Sequence, residues 1–229
     1  MKSPKGDISR RIKAIHSLAS QISITSMLDF GSGEGDMLFA LSQNFEAWGL
    51  EPEDSARENC LKKNLKVFDS IKEIQKMKLN FDLITLFHVV EHFYSPALEL
   101  QSIFELLNPG GLLIIERPNS QDALLTNYYC EAFSNFTYWS HHPMLHSASS
   151  LLELVANTGF VSVEVKYVQR YGLANHLYWL VQKKPGGHEV WKNKFSQSTE
   201  ASYSQDLIKE GKSDTLWLIA RKPFESAED

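Results

Sequence analysis

Leu28-Asp29-Phe30-Gly31-Ser32-Gly33-Glu34-Gly35-Asp36 is the stretch on which the reading of this chain turns. The apolar run from Ile24 to Phe30 has the length and composition of a short buried strand. Three glycines follow at alternate positions, and an amphipathic run opens near Asp36, with Met37, Leu38, Leu41 and Phe45 at helical spacing. Strand, glycine turn and helix in that order open a nucleotide-binding α/β unit. Without a Cβ, glycine permits a tight turn and lets a ligand lie directly against the backbone beside a helix N-terminus. The spacing narrows the ligand. A dinucleotide fingerprint reads G-x-G-x-x-G, whereas Gly31, Gly33 and Gly35 read G-x-G-x-G behind the carboxylate of Asp29. An acidic strand end repels a pyrophosphate and suits a cation.

Working outward, Ala47 to Leu50 reads as a second strand that ends in Glu51-Pro52. Glu51 stands about twenty residues past the first glycine, where a carboxylate can accept both hydroxyls of a ribose. That role serves NAD as well as other nucleosides, and a surface carboxylate before a helix is the plain alternative. Leu65 to Phe68 forms a third strand, and Asp69 just beyond it could equally be a turn or helix-capping residue. Phe81 to Phe87 is a fourth strand leading into His88-Val89-Val90-Glu91-His92. H-x-x-E-H is also an inverted zincin signature, but a zinc site needs both histidines on one helical face. Here the motif follows a strand directly and meets Ser95-Pro96, a helix start, so no metal site is assigned. Asn108 to Gly111 reads as a turn, Leu112 to Ile115 as a fully buried fifth strand, Phe160 to Val168 as a sixth and Thr215 to Lys222 as the last. Ahead of all of them, residues 1–23 contain an amphipathic leading helix with Ile8, Ile12, Ile15, Leu18 and Ile22 on its apolar face and Arg10, Arg11 and Lys13 largely elsewhere.

The 229 residues suit one α/β domain, with 43% hydrophobic and 22% charged residues. A formal net charge of -5 without a Lys/Arg stripe argues against a nucleic-acid partner. Cys60 and Cys130 have no metal-type spacing and read as reduced thiols. No export signal or apolar span is evident, so a cytoplasmic protein with no membrane contact is expected, as monomer or homodimer.

Asp29 with its glycines, the segment from Phe87 to His92, and the run LNPGGLLIIERPNS (residues 107–120) together resemble the class I S-adenosylmethionine (SAM)-dependent methyltransferases, in particular a broad bacterial small-molecule family. The resemblance implies a Rossmann-like α/β fold: a seven-stranded, mostly parallel sheet with helices on both faces and an antiparallel last strand. It implies S-adenosyl-L-methionine as cofactor, held by Asp29, Gly31, Ser32, Gly33, Gly35, Glu51 and Pro52. Asp69 would reach the adenine amine, Phe87 and His88 would line the methionine side, and Glu91 and His92 would shape the pocket floor. Two segments fall outside these motifs. Residues 121–147 crowd Tyr128, Tyr129, Phe133, Phe136, Tyr138 and Trp139 beside His141, His142 and His146, either as an acceptor wall or as an aromatic helix pair packed on the sheet. The family aligns His142 with a recurrent histidine, and His146-Ser147 stands where that family reads F-S. Residues 169–214 form an insertion between the sixth and seventh strands, with a helix from Ser202 to Lys209. It is read as an acceptor lid, against the alternatives of a dimer contact or simple packing.

The expected function is methyl transfer to a small-molecule acceptor, with an oxygen atom favoured and a sugar precursor or other secondary metabolite as the acceptor. A hydroxyl needs a general base, and the candidates in order are His142, His88, His146 and His176. The rival readings are an NAD-dependent oxidoreductase and a non-catalytic SAM-binding protein.

Overall fold

The computed structural model describes residues 5–138 and 144–225. Seven strands, β1 (Ser26–Phe30), β2 (Glu46–Leu50), β3 (Lys66–Phe68), β4 (Phe81–Phe87), β5 (Leu107–Pro118), β6 (Val161–Val168) and β7 (Thr215–Arg221), form one sheet in the order β3-β2-β1-β4-β5-β7-β6. Strands β1 to β5 run parallel, and β7 lies antiparallel between β5 and β6. β1 pairs with β2 on one side and β4 on the other, so the chain reverses its direction of travel across the sheet at β1. In open α/β sheets a ligand crevice forms outside the carboxyl ends of the strands at that switch point.

Period-two alternation sends each strand's side chains to two apolar layers. Leu28, Ile84, Leu86, Leu113 and Ile115 face α4 (Ile71–Lys76), α5 (Pro96–Glu105) and α8 (Ala148–Ala156). Met27, Leu83, Leu112, Ile114 and Trp217 face the other side, covered by α1 (Lys5–Ala19), α2 (Asp36–Leu41) and α3 (Asp54–Lys62). α8 opens on a capping box between Ser147 and Ser150.

Three local expectations change. The turn expected over Asn108–Gly111 lies inside β5, in an irregular stretch whose pairing with β4 shifts register between Phe81 and Leu83. Gly110 adopts φ +76 there, and a Cβ at that position would meet the Phe224 ring at 2.3 Å. Arg11, expected away from the apolar face of the leading helix, is 2% exposed and buried beneath α1. The 169–214 insertion holds three helices instead of one: α9 (Leu173–Gln182), α10 (Gly187–Val190) and α11 (Gln197–Lys209). Buried Asn175 and His176 break the apolar stripe of α9, which hides its period in the sequence. Two short helices, α6 (Ala123–Thr126) and α7 (Glu131–Thr137), follow β5. Among the described residues no helix is long and apolar enough to cross a membrane, and no group of three His, Cys, Asp or Glu side chains is placed to hold a metal ion.

Candidate cofactor and acceptor site

The glycine loop leaves β1 with Gly31, Gly33 and Gly35 all in the left-handed region, at φ +78, +53 and +78. Their surroundings differ. A Cβ on Gly31 would strike Val89 Cγ2 at 2.6 Å and one on Gly35 would strike Cys60 Sγ at 2.8 Å, whereas Gly33 has nothing within 4 Å. The loop therefore packs at its two ends and opens at its middle, the shape of a cradle. Its amides are largely committed. Gly31 and Ser32 donate to the Leu50 carbonyl, Gly35 donates to the Ser32 carbonyl, and Gly33 donates to Glu51 Oε2 at 2.7 Å. Glu51 Oε1 accepts from the Glu53 amide at 3.0 Å. These two bonds fix the carboxylate at the tip of β2, and each oxygen keeps a second lone pair for a ligand hydroxyl. Pro52 and Asp69 are exposed beside it, and the Asp69 amide donates to Glu73 Oε2.

Below the cradle, Asp29 is 3% exposed and accepts from Thr85 Oγ1 at 2.8 Å. Burial, helped by nearby Glu51, pushes its pKa up to about 6 against the opposing pull of Thr85 and Arg11.

A second charged layer caps β4 and β5. Arg11 embraces Glu116 Oε1 through Nε at 3.0 Å and Nη2 at 2.6 Å while lying 4.5 Å over the Phe87 ring. Arg10 reaches Glu116 Oε2 at 2.6 Å, and Arg170, at the root of the insertion, reaches Asp7 Oδ2 at 2.9 Å. The leading helix is thereby fastened across the carboxyl end of the sheet. Burial alone would raise the Glu116 pKa, but its bonds to His88 and the two arginines hold it far below the carboxylate range. His88 sits in the midst of this layer with φ +59, a strained setting for a non-glycine residue. Its Nδ1 faces Glu91 Oε1 at 3.1 Å and its Nε2 faces Arg170 Nη1 at 2.8 Å. Burial lowers the His88 pKa, and the two carboxylates Glu116 and Glu91 outweigh it, so the net shift is upward.

The other histidines divide sharply. His176 is 1% exposed and both nitrogens are committed. Gln169 Oε1 accepts from the Asp214 amide, so Gln169 Nε2 must be the donor to His176 Nε2 at 3.3 Å, which leaves the ring proton on Nδ1 for Tyr203 at 2.7 Å. Burial depresses its pKa to about 4. His176 is therefore a neutral joint that ties the insertion to the ends of β6 and β7, with no nitrogen left for an acceptor. His146 is 7% exposed, its Nε2 has no partner, and burial with the Arg117 charge lowers its pKa to about 4. His142, with Trp139 and His141, lies outside the described residues. Tyr128 is hydrogen-bonded to Tyr203, and Phe133 and Phe136 pack on Trp179 of α9, so part of the aromatic segment serves the insertion's own core.

Arg117, which the sequence did not single out, lies here with Glu91 and His146. Arg117 is fully buried, donates only through Nη2 to the Met144 carbonyl at 2.7 Å, and leaves Nε and Nη1 unpartnered. Glu91 Oε2 is likewise sealed and unpartnered. Each such orphan costs about 1–3 kcal/mol, so four of them on Glu91, Arg117 and His146 do not serve stability. The signal was present: Glu116-Arg117 are two charges directly after the buried apolar run Leu112–Ile115.

The comparisons with known proteins agree with this geometry. The family model described as "Methyltransferase domain" matches residues 6–165, and the chain belongs to that family. It is a class I methyltransferase fold whose cofactor is S-adenosylmethionine. The chain is similar to a SAM-dependent methyltransferase from Archaeoglobus fulgidus, at 17% identity over 96% of this chain and 95% of that one, with a TM-score of 0.63. It is similar to Haemonchus contortus phosphoethanolamine N-methyltransferase 2 in complex with S-adenosyl-L-methionine, at 18% identity over 93% of this chain and 52% of that one, TM-score 0.57. It also resembles the [4+2]-cyclase SpnF, at 15% identity over 93% and 80%, TM-score 0.53. Identities this low speak for the fold alone. Among curated proteins none matches the sequence.

Proposed function

We propose that this chain transfers a methyl group from S-adenosylmethionine to an oxygen atom of a small-molecule acceptor, and that residues 169–214 cover that acceptor. One observation carries the reading: the open glycine cradle has carboxylates on both sides, Asp29 beneath and Glu51 bonded to the Gly33 amide. That amide would have to be free for a dinucleotide pyrophosphate, and the Asp29 carboxylate at the strand end would repel it. The same groups fit the methyl donor. Glu51 offers lone pairs to the ribose hydroxyls, Asp69 lies at the neighbouring strand tip for the adenine amine, and Asp29 supplies negative charge beneath a cationic ligand. Phe87 and His88 at the tip of β4 would flank its methionine end.

The bound cofactor supplies an activated methyl on a cationic sulfur, and the remaining work falls to this chain. It must hold the acceptor in line, exclude water and remove a proton. Arg10 and Arg11 fasten α1 over the site, which serves exclusion. Among the described residues His88 is the foremost candidate base: Glu91 orients Nδ1, and Nε2 becomes available once Arg170 shifts away. His146 follows, neutral at pH 7 but a weak base, and His142 stands alongside by its position in the sequence. Incubation with labelled SAM and a panel of hydroxylated and amine acceptors tests the proposal. Label in an O-methylated product supports it. Cofactor that binds and is never consumed would make this a SAM-binding protein instead, and a labelled amine would move the reaction to nitrogen.

A further inference from the structure

Glu91, in the turn after β4, and Arg117, near the carboxyl end of β5, stand at the same end of the sheet as the glycine loop, and Val89 next to Glu91 packs on Gly31. His146 closes the group from the stretch leading into α8. Between them they leave two donor nitrogens on Arg117, one carboxylate oxygen on Glu91 and one ring nitrogen on His146 without any partner, all sealed from solvent. No hydrogen bond joins Glu91 Oε2 to the guanidinium, although Arg117 acts on the Glu91 charge. Evolution could have closed this pair or replaced it with apolar side chains, and the chain instead keeps it apart.

We infer that Glu91, Arg117 and His146 form the subsite that grips neighbouring hydroxyl groups of an uncharged, sugar-like acceptor; the inference rests on the methyltransferase reading and names the substrate class of that same site. The charge count decides the chemistry. With His146 neutral, the trio sums to zero, so an anion would meet Glu91 and an ammonium would meet Arg117, each adding an unbalanced buried charge. A hydroxyl both donates and accepts. Two adjacent hydroxyls can take the Arg117 donors on their oxygens and give a proton to Glu91 Oε2, while His146 Nε2 accepts or donates as the second hydroxyl requires. The subsite is coupled to the proposed base, because Glu91 uses its other oxygen to hold His88 Nδ1 at 3.1 Å. A hydroxyl bound here is thus presented beside His88. Entry requires the covering stretch to lift, which breaks the bonds from Arg117 Nη2 to the Met144 carbonyl and from the Ser120 amide to the His146 carbonyl.

The test uses the full chain with S-adenosylhomocysteine (SAH), first titrated by calorimetry. Saturation-transfer NMR then follows with methyl β-D-glucopyranoside, methyl α-D-mannopyranoside and myo-inositol, against glucuronate and glucosamine, each at about 50 mM, far above the ~1 mM dissociation constants that a few hydrogen bonds give. The expected result is binding of at least one uncharged polyol, at least tenfold tighter than either charged analogue. In Arg117→Met that binding is lost by tenfold or more, and in the double variant Arg117→Met/Glu91→Gln, which leaves no buried charge unbalanced, it is lost likewise while the melting temperature is kept or raised; a purely structural pair would show the reverse. In Glu91→Gln, which keeps the shape, the preference for uncharged probes weakens toward the anion. Binding of none of the uncharged probes to the SAH-loaded chain, tighter binding of glucuronate, or full polyol binding in Arg117→Met overturns the inference. A chain that ignores SAH defeats the methyltransferase reading itself, and the calorimetry shows that separately.

Discussion

Replacing Asp29 by Asn isolates the electrostatics of the cradle, because Asn keeps the size of the side chain and an oxygen to accept from Thr85. The folded Asp29 pKa is raised from 3.8 to about 6. A raised carboxylate contributes stability that is present below its unfolded pKa and lost as pH rises through the folded value, here from about 4 to about 6. At 1.36 kcal/mol per pH unit, that rise makes the ionised group a burden of about 3 kcal/mol at pH 8. Asp29→Asn should therefore raise the melting temperature of the ligand-free protein at pH 8, by up to roughly 6–12 °C for a chain of this size. The same substitution should weaken SAM. A carboxylate some 5–7 Å from a cation at an effective dielectric of about 20 is worth roughly 2–3 kcal/mol, or about 30- to 150-fold in affinity. SAH, which lacks the sulfonium charge, should lose less. Scanning calorimetry from pH 4 to 8 and titrations with both ligands measure all three quantities. A variant that melts lower than the parent, or that binds SAM as tightly as the parent, refutes the argument that this buried charge is held for a cation.

Other perturbations follow from the same structure. Gly33→Ala meets no atom of the protein but fills the cradle, so it should cost only about 1–2 kcal/mol of backbone strain and yet abolish SAH binding by calorimetry; unchanged binding would mean that no ligand lies against that residue. Glu51→Ala removes two charge-assisted bonds and the ribose anchor, and should weaken SAH by on the order of 100-fold in titration. Asp122, which caps α6 through the Leu124 amide, is pushed up to about 7 by burial and by neighbouring Asp214. Its ionisation should erode stability as pH rises from about 4 to 7, and Asp122→Asn should gain up to about 4 kcal/mol in urea unfolding at pH 8. His176 works in the opposite sense: its pKa is depressed from 6.5 to about 4, so stability should fall as pH drops below 6.5, and His176→Gln should flatten that limb of the urea curve.

The glycine cradle was legible because everything that defines it is local. Asp29, the three glycines and the helix after them occupy one short run, and Glu51 follows at a spacing set by one crossover. The sheet was legible for the same reason, since β1, β4 and β5 announce themselves as apolar runs. What the sequence concealed is long-range. Arg11 looked like a solvated charge because its partner, Glu116, is 105 residues away. His176 looked like a candidate base because nothing nearby in sequence shows that Gln169 and Tyr203 would occupy both its nitrogens. Arg117 stood out only as one letter of the run LNPGGLLIIERPNS, and only the fold reveals that burial leaves its donors without partners beside Glu91.

The most direct test of the account is calorimetric titration of the wild-type chain with SAH and, separately, with NADH. A saturable one-to-one site for SAH with no heat from NADH is the predicted result. NADH binding, or no binding of SAH at millimolar concentration, would contradict the claim that Asp29, Gly33 and Glu51 form a cradle for this cofactor.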